Sequence, residues 1–209
     1  MTSVLVVGTG GLAREFTSYF NDYIDIVGFS SSAPEEHEKF KLPGKIFDNN
    51  VTPEIVGTDL AVIAIGSPLV RKKIAENLKS KGFKFPAIIH PSSVVSDLSV
   101  INDGVVISPN CTVSPNVKLG DFTYINFNCG IGHDANIGNF VQINPGTQIG
   151  GGAIINEHTL IGSGSTVLQG VKVLDNVTVG SGSVVFSRVK SGITVMGNPA
   201  KRVRMFETD

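Results

Sequence analysis

The sequence predicts two domains of different class. Residues 1–88 read as an α/β, Rossmann-like domain, and residues 89–209 as an all-β left-handed parallel β-helix. Three observations carry this. The chain opens on an apolar run and a glycine turn, Val4-Leu-Val-Val-Gly8 leading into Gly8-Thr-Gly-Gly-Leu-Ala13. Strand-like and helix-like segments then alternate as far as His90, the pattern of a parallel sheet. From Ser93 onward, an aliphatic residue returns at every sixth position sixteen times without a break.

Composition agrees and excludes alternatives. The 209 residues suit one or two domains. Seventeen basic against eighteen acidic residues leave a net charge of -1, which argues against nucleic-acid binding driven by charge. The chain has 24 glycines and no tryptophan, yet 41% of its residues are hydrophobic, so it needs small residues while burying an aliphatic core. Gly-X-Y periodicity is absent, which excludes collagen. The N-terminus lacks the basic and long apolar segments of a signal peptide, and no apolar run approaches the ~20 residues of a membrane span. Two cysteines, Cys111 and Cys129, do not make a disulfide scaffold. A soluble cytoplasmic protein is expected.

In the first domain, Val4–Gly8 is the first strand, Ala13–Phe20 a helix, Ile24–Phe29 a second strand and Leu60–Gly66 a third. Pro68 opens a helix to about Ser80, closed by Gly82, and Phe85–His90 is a last short strand. Strand, glycine turn and helix form a G-x-G-x-x-A variant of the dinucleotide fingerprint, in which glycines admit a phosphate to free helix N–H groups. Such a site takes an acidic residue after the second strand, where this chain has Ser30-Ser31-Ser32. The domain is also short for a full dinucleotide fold. A mononucleotide or phosphate ligand fits better.

The second domain is written in sixes from SVVSDL to SVVFSR. The third position runs from Val95 through Ile131 and Ile149 to Val185, the first is always Ser, Thr, Ala, Cys or Val, and the fourth is Gly, Asn or Ser in thirteen of sixteen cases. A period of six fits neither helix nor ordinary strand. It fits a solenoid of very short parallel strands with one inward aliphatic each, turned at Gly or Asn. Three hexads make a triangular coil, so residues eighteen apart stack, about 4.8 Å per coil. The left hand rests on likeness to known hexad solenoids, since crossovers are otherwise right-handed. Cys111 and Cys129 should lie one above the other, as reduced core residues. Gly197–Arg204 should leave the prism as a basic tail.

Four histidines are candidates for chemistry. His37 lies in a polar segment and reads as solvated, and His90 at the domain junction reads as structural. His158 falls eighteen after Phe140 and thirty-six after Phe122, which predicts corner packing. His133 differs: Asp134 follows it and can orient its imidazole, and Gly151 lies one coil above. A base beside an unobstructed backbone N–H suits acyl transfer, the base taking a proton and the N–H meeting an oxyanion. No metal is expected, because a zinc site needs three converging ligands and no second histidine lies near His133 in the repeat.

At VVGTGGLARE, VIAIGSPLVRKKI, HPSSVV, the hexads with IGHD, and GNPAKRVR, essentially the whole chain resembles the hexapeptide-repeat acyltransferases. More narrowly, it resembles the sugar O- or N-acetyltransferases typified by sialic acid O-acetyltransferase and the bacillosamine-pathway acetyltransferase. The resemblance implies a homotrimer with sites between adjacent prisms, acetyl-CoA along the groove and no metal. His133 matches the catalytic base, and Asp134 stands where bacillosamine-type members carry Glu. Gly151 would supply the oxyanion N–H, and Asn126 matches a residue near the acceptor. Gln142, Gly151, Ser163, Gly180 and Ser181 match cofactor-lining positions, with Lys201 and Arg202 toward the CoA phosphates. Gly8, Thr9, Gly10 and Gly11, with Ser30 and Ser31, would hold the nucleotide of a nucleotide-linked amino sugar. Family members commonly carry Asp after GF, so Ser30–Ser32 turns expectation from the usual UDP-sugar toward another nucleotide or acceptor. Acetylation of a sugar nitrogen is the leading expectation and of a sugar hydroxyl the second. A non-catalytic trimeric scaffold is the reading from another class.

Overall fold

In the computed structural model, which describes residues 1–203, the N-terminal unit is a four-stranded parallel sheet flanked by helices. Its elements are β1 (Thr2–Val7), α1 (Gly11–Phe20), β2 (Ile24–Ser30), α2 (Glu35–Lys39), β3 (Lys45–Phe47), α3 (Pro53–Val56), β4 (Ala61–Ile63) and α4 (Pro68–Ser80). The strand order is β3-β2-β1-β4. Val4–Val7 of central β1 is an unbroken aliphatic run because both its faces are covered. On α1 the buried residues Ala13, Phe16, Thr17 and Phe20 recur at helical spacing and pack on the sheet. Pro68 supplies the first turn of α4, where a missing N–H costs nothing.

The last strand expected in this domain belongs elsewhere. Only Ile88–Ile89 (β5) of the Phe85–His90 run is strand, and it pairs with Val106–Ile107, eighteen residues on. It opens the solenoid. Lys45–Phe47, with no apolar alternation to mark it, forms the unpredicted edge strand.

The rest of the chain is the predicted left-handed parallel β-helix. Short strands stack into three sheets of eight, six and five strands, at a register of eighteen until Thr178–Val179 meets Thr194–Met196 at sixteen: Gln142 pairs with Tyr124 below and Leu160 above. Face 1 runs from Ile88–Ile89 to Thr194–Met196, face 2 from Val94–Val95 to Val184–Val185, and face 3 from Val100–Ile101 to Lys172–Val173. Third-position aliphatics fill the interior, Ile107, Ile125, Ile143 and Ile161 each without solvent contact. Each such burial contributes roughly 1.5–3 kcal/mol before entropy is charged against it. Cys111 and Cys129 are buried free thiols in successive coils, donating to the carbonyls of Asn126 and Asn144.

The turns use Gly and Asn, as expected. The left-handed backbone falls on the sixth hexad position, where Asn110, Asn116, Asn128, Asp134 and Asn176 have φ of 56–62°. Asn and Asp tolerate this conformation best among non-glycine residues. Phe122, Phe140 and His158 adopt it too, and their rings stack down one edge at 5.0 and 5.7 Å, as the spacing predicted. The tail departs from expectation: Lys201–Arg202 turns back as an antiparallel strand on Thr194–Met196 and closes the face 1 sheet. Arg204 lies outside the described residues.

Face 1 carries the N-terminal domain. Its outward Val106 and Tyr124 join the core under α1 and β1. The two units are fastened by Arg71 of α4, which is 1% exposed. Its Nε donates to Phe122 O (2.9 Å), one terminal nitrogen to Gln142 Oε1 (2.8 Å) and Ile65 O, and the other to Val141 O (3.0 Å) and Phe140 O (3.3 Å). All five guanidinium N–H groups thus find neutral acceptors, and among the described residues no carboxylate pairs with the charge. Burial lowers the Arg71 pKa to about 10.

Candidate active site

His133 sits at the edge between faces 2 and 3, the fifth residue of its hexad, with 62% of its side chain exposed. Its Nδ1 is 2.8 Å from Asp134 Oδ2. An ionised carboxylate only accepts, so the imidazole donates from Nδ1, leaving the Nε2 lone pair free. Asp134 Oδ1 accepts a second bond, 3.0 Å, from Asn116 Nδ2 one coil below. The bonds from His133 and then Asn116 hold the Asp134 carboxyl below the usual carboxylate range. Asn116 was not among the sequence candidates, although its position, eighteen before Asp134, marks it as the stacking neighbour.

Gly151 is the second decisive feature. A Cβ built on it would lie 2.7 Å from both Cε1 and Nε2 of His133. Only glycine lets the imidazole rest over the coil above. Gly152 N–H donates to His133 O (2.7 Å), locking the two coils, while Gly151 N–H has no hydrogen-bond partner among the described residues. The His133 ring therefore lies against Gly151 of the coil above, as the spacing predicted.

The other candidates fall into separate places. Ser163 and Ser181 are exposed, and Gly180 half-buried, on the edge between faces 1 and 2. Lys201 is exposed on the strand that closes face 1. One hexad of extended chain, ~20 Å at most, separates this edge from His133. Gly151 therefore stands on a different edge of the prism from Ser163 and Ser181. Gln142 must be corrected: it is 1% exposed on face 1, bonded to Arg71 and to Asn144 Oδ1 (3.1 Å), and offers nothing to a cofactor. Its hexad position points outward, but the N-terminal domain covers that face. Asn126 is 4% exposed on the edge between faces 1 and 2, accepting from Phe127 N–H (2.8 Å) and donating to Glu15 Oε2 (3.3 Å).

The glycine turn borders a pocket of ≈ 340 Å³ lined by Gly8, Ser30, Ser31, Ser32, Asn49, Lys73 and Asn77 among others. Gly8 has φ +113°, and a Cβ there would meet Ile65 Cδ1 at 2.9 Å and Ala64 O at 3.0 Å, so the turn needs glycine for its own geometry. Gly10 is the uncapped N-cap of α1 and Gly11 its first residue. Thr9 is 1% exposed and its hydroxyl is tied to Ser31 Oγ and Ala33 O. Ser30 Oγ donates to Asp48 O. The Thr9 hydroxyl thus braces the pocket loops and is closed to a ligand, which corrects the expectation for it, while Ser30 stays on the pocket lining. Sequence reasoning gave no role to Lys73, Asn77 or Asn49, although Lys73 falls within the quoted VIAIGSPLVRKKI segment.

His90 is structural, its ring edge-on to Phe20 and Tyr23. His37 is not simply solvated: its ring packs against Phe29 and its Nε2 is buried. Among the described residues no group of three or more His, Cys, Asp or Glu is arranged to hold a metal, and no helix is long and apolar enough to cross a membrane.

Residues 3–78 match the family model of the PglD N-terminal domain, and residues 134–169 match that of the bacterial transferase hexapeptide (six repeats). Both matched segments are thus similar to parts of hexapeptide-repeat transferases, and the chain reads as an acyltransferase. It is similar in structure to the acetyltransferase domain of PglB from Neisseria gonorrhoeae FA1090, with TM-score 0.82 and 29% identity over 97% of this chain and 100% of that one. The same domain in complex with acetyl coenzyme A matches at TM-score 0.82 and 29% identity, over 96% and 98% of the two chains. PerB from Caulobacter crescentus, in complex with CoA and GDP-perosamine, shares the fold at TM-score 0.77 and 21% identity, over 98% of each chain. No curated protein sequence matches this chain.

Proposed function

We propose that this acyltransferase moves an acetyl group from acetyl-CoA to the amino group of a nucleotide-linked amino sugar, in a homotrimer whose sites lie between adjacent prisms. The observation that carries the reading is the pairing of His133 with Gly151. A Cβ on residue 151 would lie 2.7 Å from the imidazole, so the repeat reserves a glycine for this histidine. In the reaction the amine nitrogen attacks the thioester carbonyl, forming the N–C bond. His133 Nε2 takes a proton from that nitrogen, and the Gly151 N–H meets the developing oxyanion. The C–S bond then breaks, and the imidazolium returns the proton to the departing CoA sulfur. Asp134 stabilises the transient imidazolium through Nδ1.

The division between two edges supports the trimer. His133 and Gly151 stand on one edge and Ser163 and Ser181 on the next, so a second copy that lays one edge against the other completes a groove for acetyl-CoA. The 340 Å³ pocket at the glycine turn, with Lys73 on its wall, is the place for the nucleotide phosphates. The test is CoA release from acetyl-CoA with UDP-, GDP- and dTDP-linked amino sugars, with product mass and the site of acetylation determined. Acetyl on nitrogen with at least one of them is expected. Acetyl on oxygen, or no CoA release with any acceptor, would overturn the reading.

A further inference from the structure

One carboxylate near the second edge has no assigned task. Glu15 lies on α1, partly buried, with Oε2 3.3 Å from Asn126 Nδ2. Asn126 is otherwise spent, since its Oδ1 accepts the Phe127 N–H and the residue is 4% exposed. Asn126 therefore holds Glu15 in place, and Glu15 is the group presented at that edge. No cation neutralises it among the described residues. The adjacent Arg14 is taken by Glu36 at 2.9 Å and by the ring of Phe40. A partly desolvated carboxylate with an anchoring amide and no counter-ion is an incomplete ion pair. Its charge is felt nearby: together with burial, the larger cause, it raises the Tyr19 phenol pKa.

Position says what would complete the pair. Glu15 stands four residues beyond Gly11, about 6 Å along the helix axis from the turn where nucleotide phosphates would sit. That is about the span of one sugar ring. We propose that Glu15 binds the ammonium group of the amino sugar, which gives up one proton to solvent before the neutral amine attacks, and selects amine over hydroxyl acceptors, with Asn126 as its positioning residue. The proposal rests on the N-acetyltransferase reading above. It assigns the capture of the acceptor to α1 of one copy and the proton transfer to His133 of another.

The test is steady-state kinetics of wild type and Glu15→Gln in the acetyl-CoA assay, with a nucleotide-linked amino sugar and its hydroxyl analogue as acceptors. Gln keeps an acceptor for Asn126 Nδ2 and removes only the charge. The variant is expected to raise KM for the amino sugar about tenfold, the scale of one charge-assisted hydrogen bond. KM for acetyl-CoA should stay unchanged, and the preference for amine over hydroxyl should fall by a similar factor. Unchanged KM for the amine, or equal losses with both acceptors, would overturn the proposal and reduce Glu15 to an anchor for Asn126. Failure of the underlying reading shows separately, in wild type that transfers acetyl to no amine.

Discussion

The β-helix and the α/β domain place their polar groups by different means. In the β-helix every residue has an address: eighteen residues make one coil, so the partner above or below is found by counting. The contact of Gly151 with His133 and the bond from Asn116 to Asp134 both follow this rule. In the α/β domain, position depends on where loops and helices settle, and no count foresees it. Lys73 and Asn77 reach the pocket wall, and Arg71 reaches face 1, only because α4 packs where it does. The regular half carries the candidate chemistry and the irregular half the candidate acceptor pocket, and Arg71 fixes one against the other.

The largest expected effect comes from breaking that joint. Arg71→Met leaves Gln142 and four backbone carbonyls without their shared donor, and the cost should be ~3 kcal/mol or more. Thermal unfolding should show the α/β unit melting before the β-helix, and wild type should melt in one step. Arg71→Lys should rescue little, since an ammonium cannot reproduce the five-donor fork. Coincident transitions in the Met variant would mean that the apolar contacts at face 1 suffice.

Next is the column at the other edge. Gly151→Ala places a methyl 2.7 Å from the His133 ring and must displace it. Because the ring is exposed, it can swing away at small cost to folding. CoA release should fall about a hundredfold while the melting temperature moves little. Gly152→Ala, without a neighbour within 4 Å but with φ +64°, should reverse the pattern, with a stability loss of ~1 kcal/mol and turnover near wild type.

The smallest effect concerns Asp134. Its folded pKa lies below its unfolded value, so the stabilisation it gives is present above the ordinary carboxylate range and is lost as pH falls through the lowered pKa. Asn116→Ala removes one of the two bonds that depress it. The Asp134 titration, followed by NMR, should move up toward the ordinary range and the acid limb of that stabilisation with it. An unmoved titration would detach Asn116 from the dyad.

The fold was legible because the hexad repeats sixteen times and no competing period accounts for it. The His133, Asp134 and Gly151 group was legible for the same reason. Gln142 was misread because its outward position is open only where nothing covers face 1, and the cover is a tertiary fact. The same cover explains the apolar outward residues Val106 and Tyr124 on that face, a signal present in the sequence. Thr9 was misread because a hydroxyl beside a glycine turn serves loop geometry as readily as a ligand, and here the loop claims it. Ile88–Ile89 was assigned to the wrong sheet because a two-residue strand has no period of its own until its partner eighteen residues on is counted. Glu15 carried no motif role; its interest appears only when α1 is laid against Asn126.

The most direct test of the central claim is the rate of CoA release by His133→Asn at saturating acetyl-CoA and acceptor, with trimer formation and CoA binding measured on the same preparation. Asparagine keeps a polar side chain at the edge and removes the titrating nitrogen. A fall of about 10²–10⁴-fold in kcat, with trimer and CoA binding intact, is the predicted result. Turnover within a few-fold of wild type would contradict the account and move the chemistry away from His133.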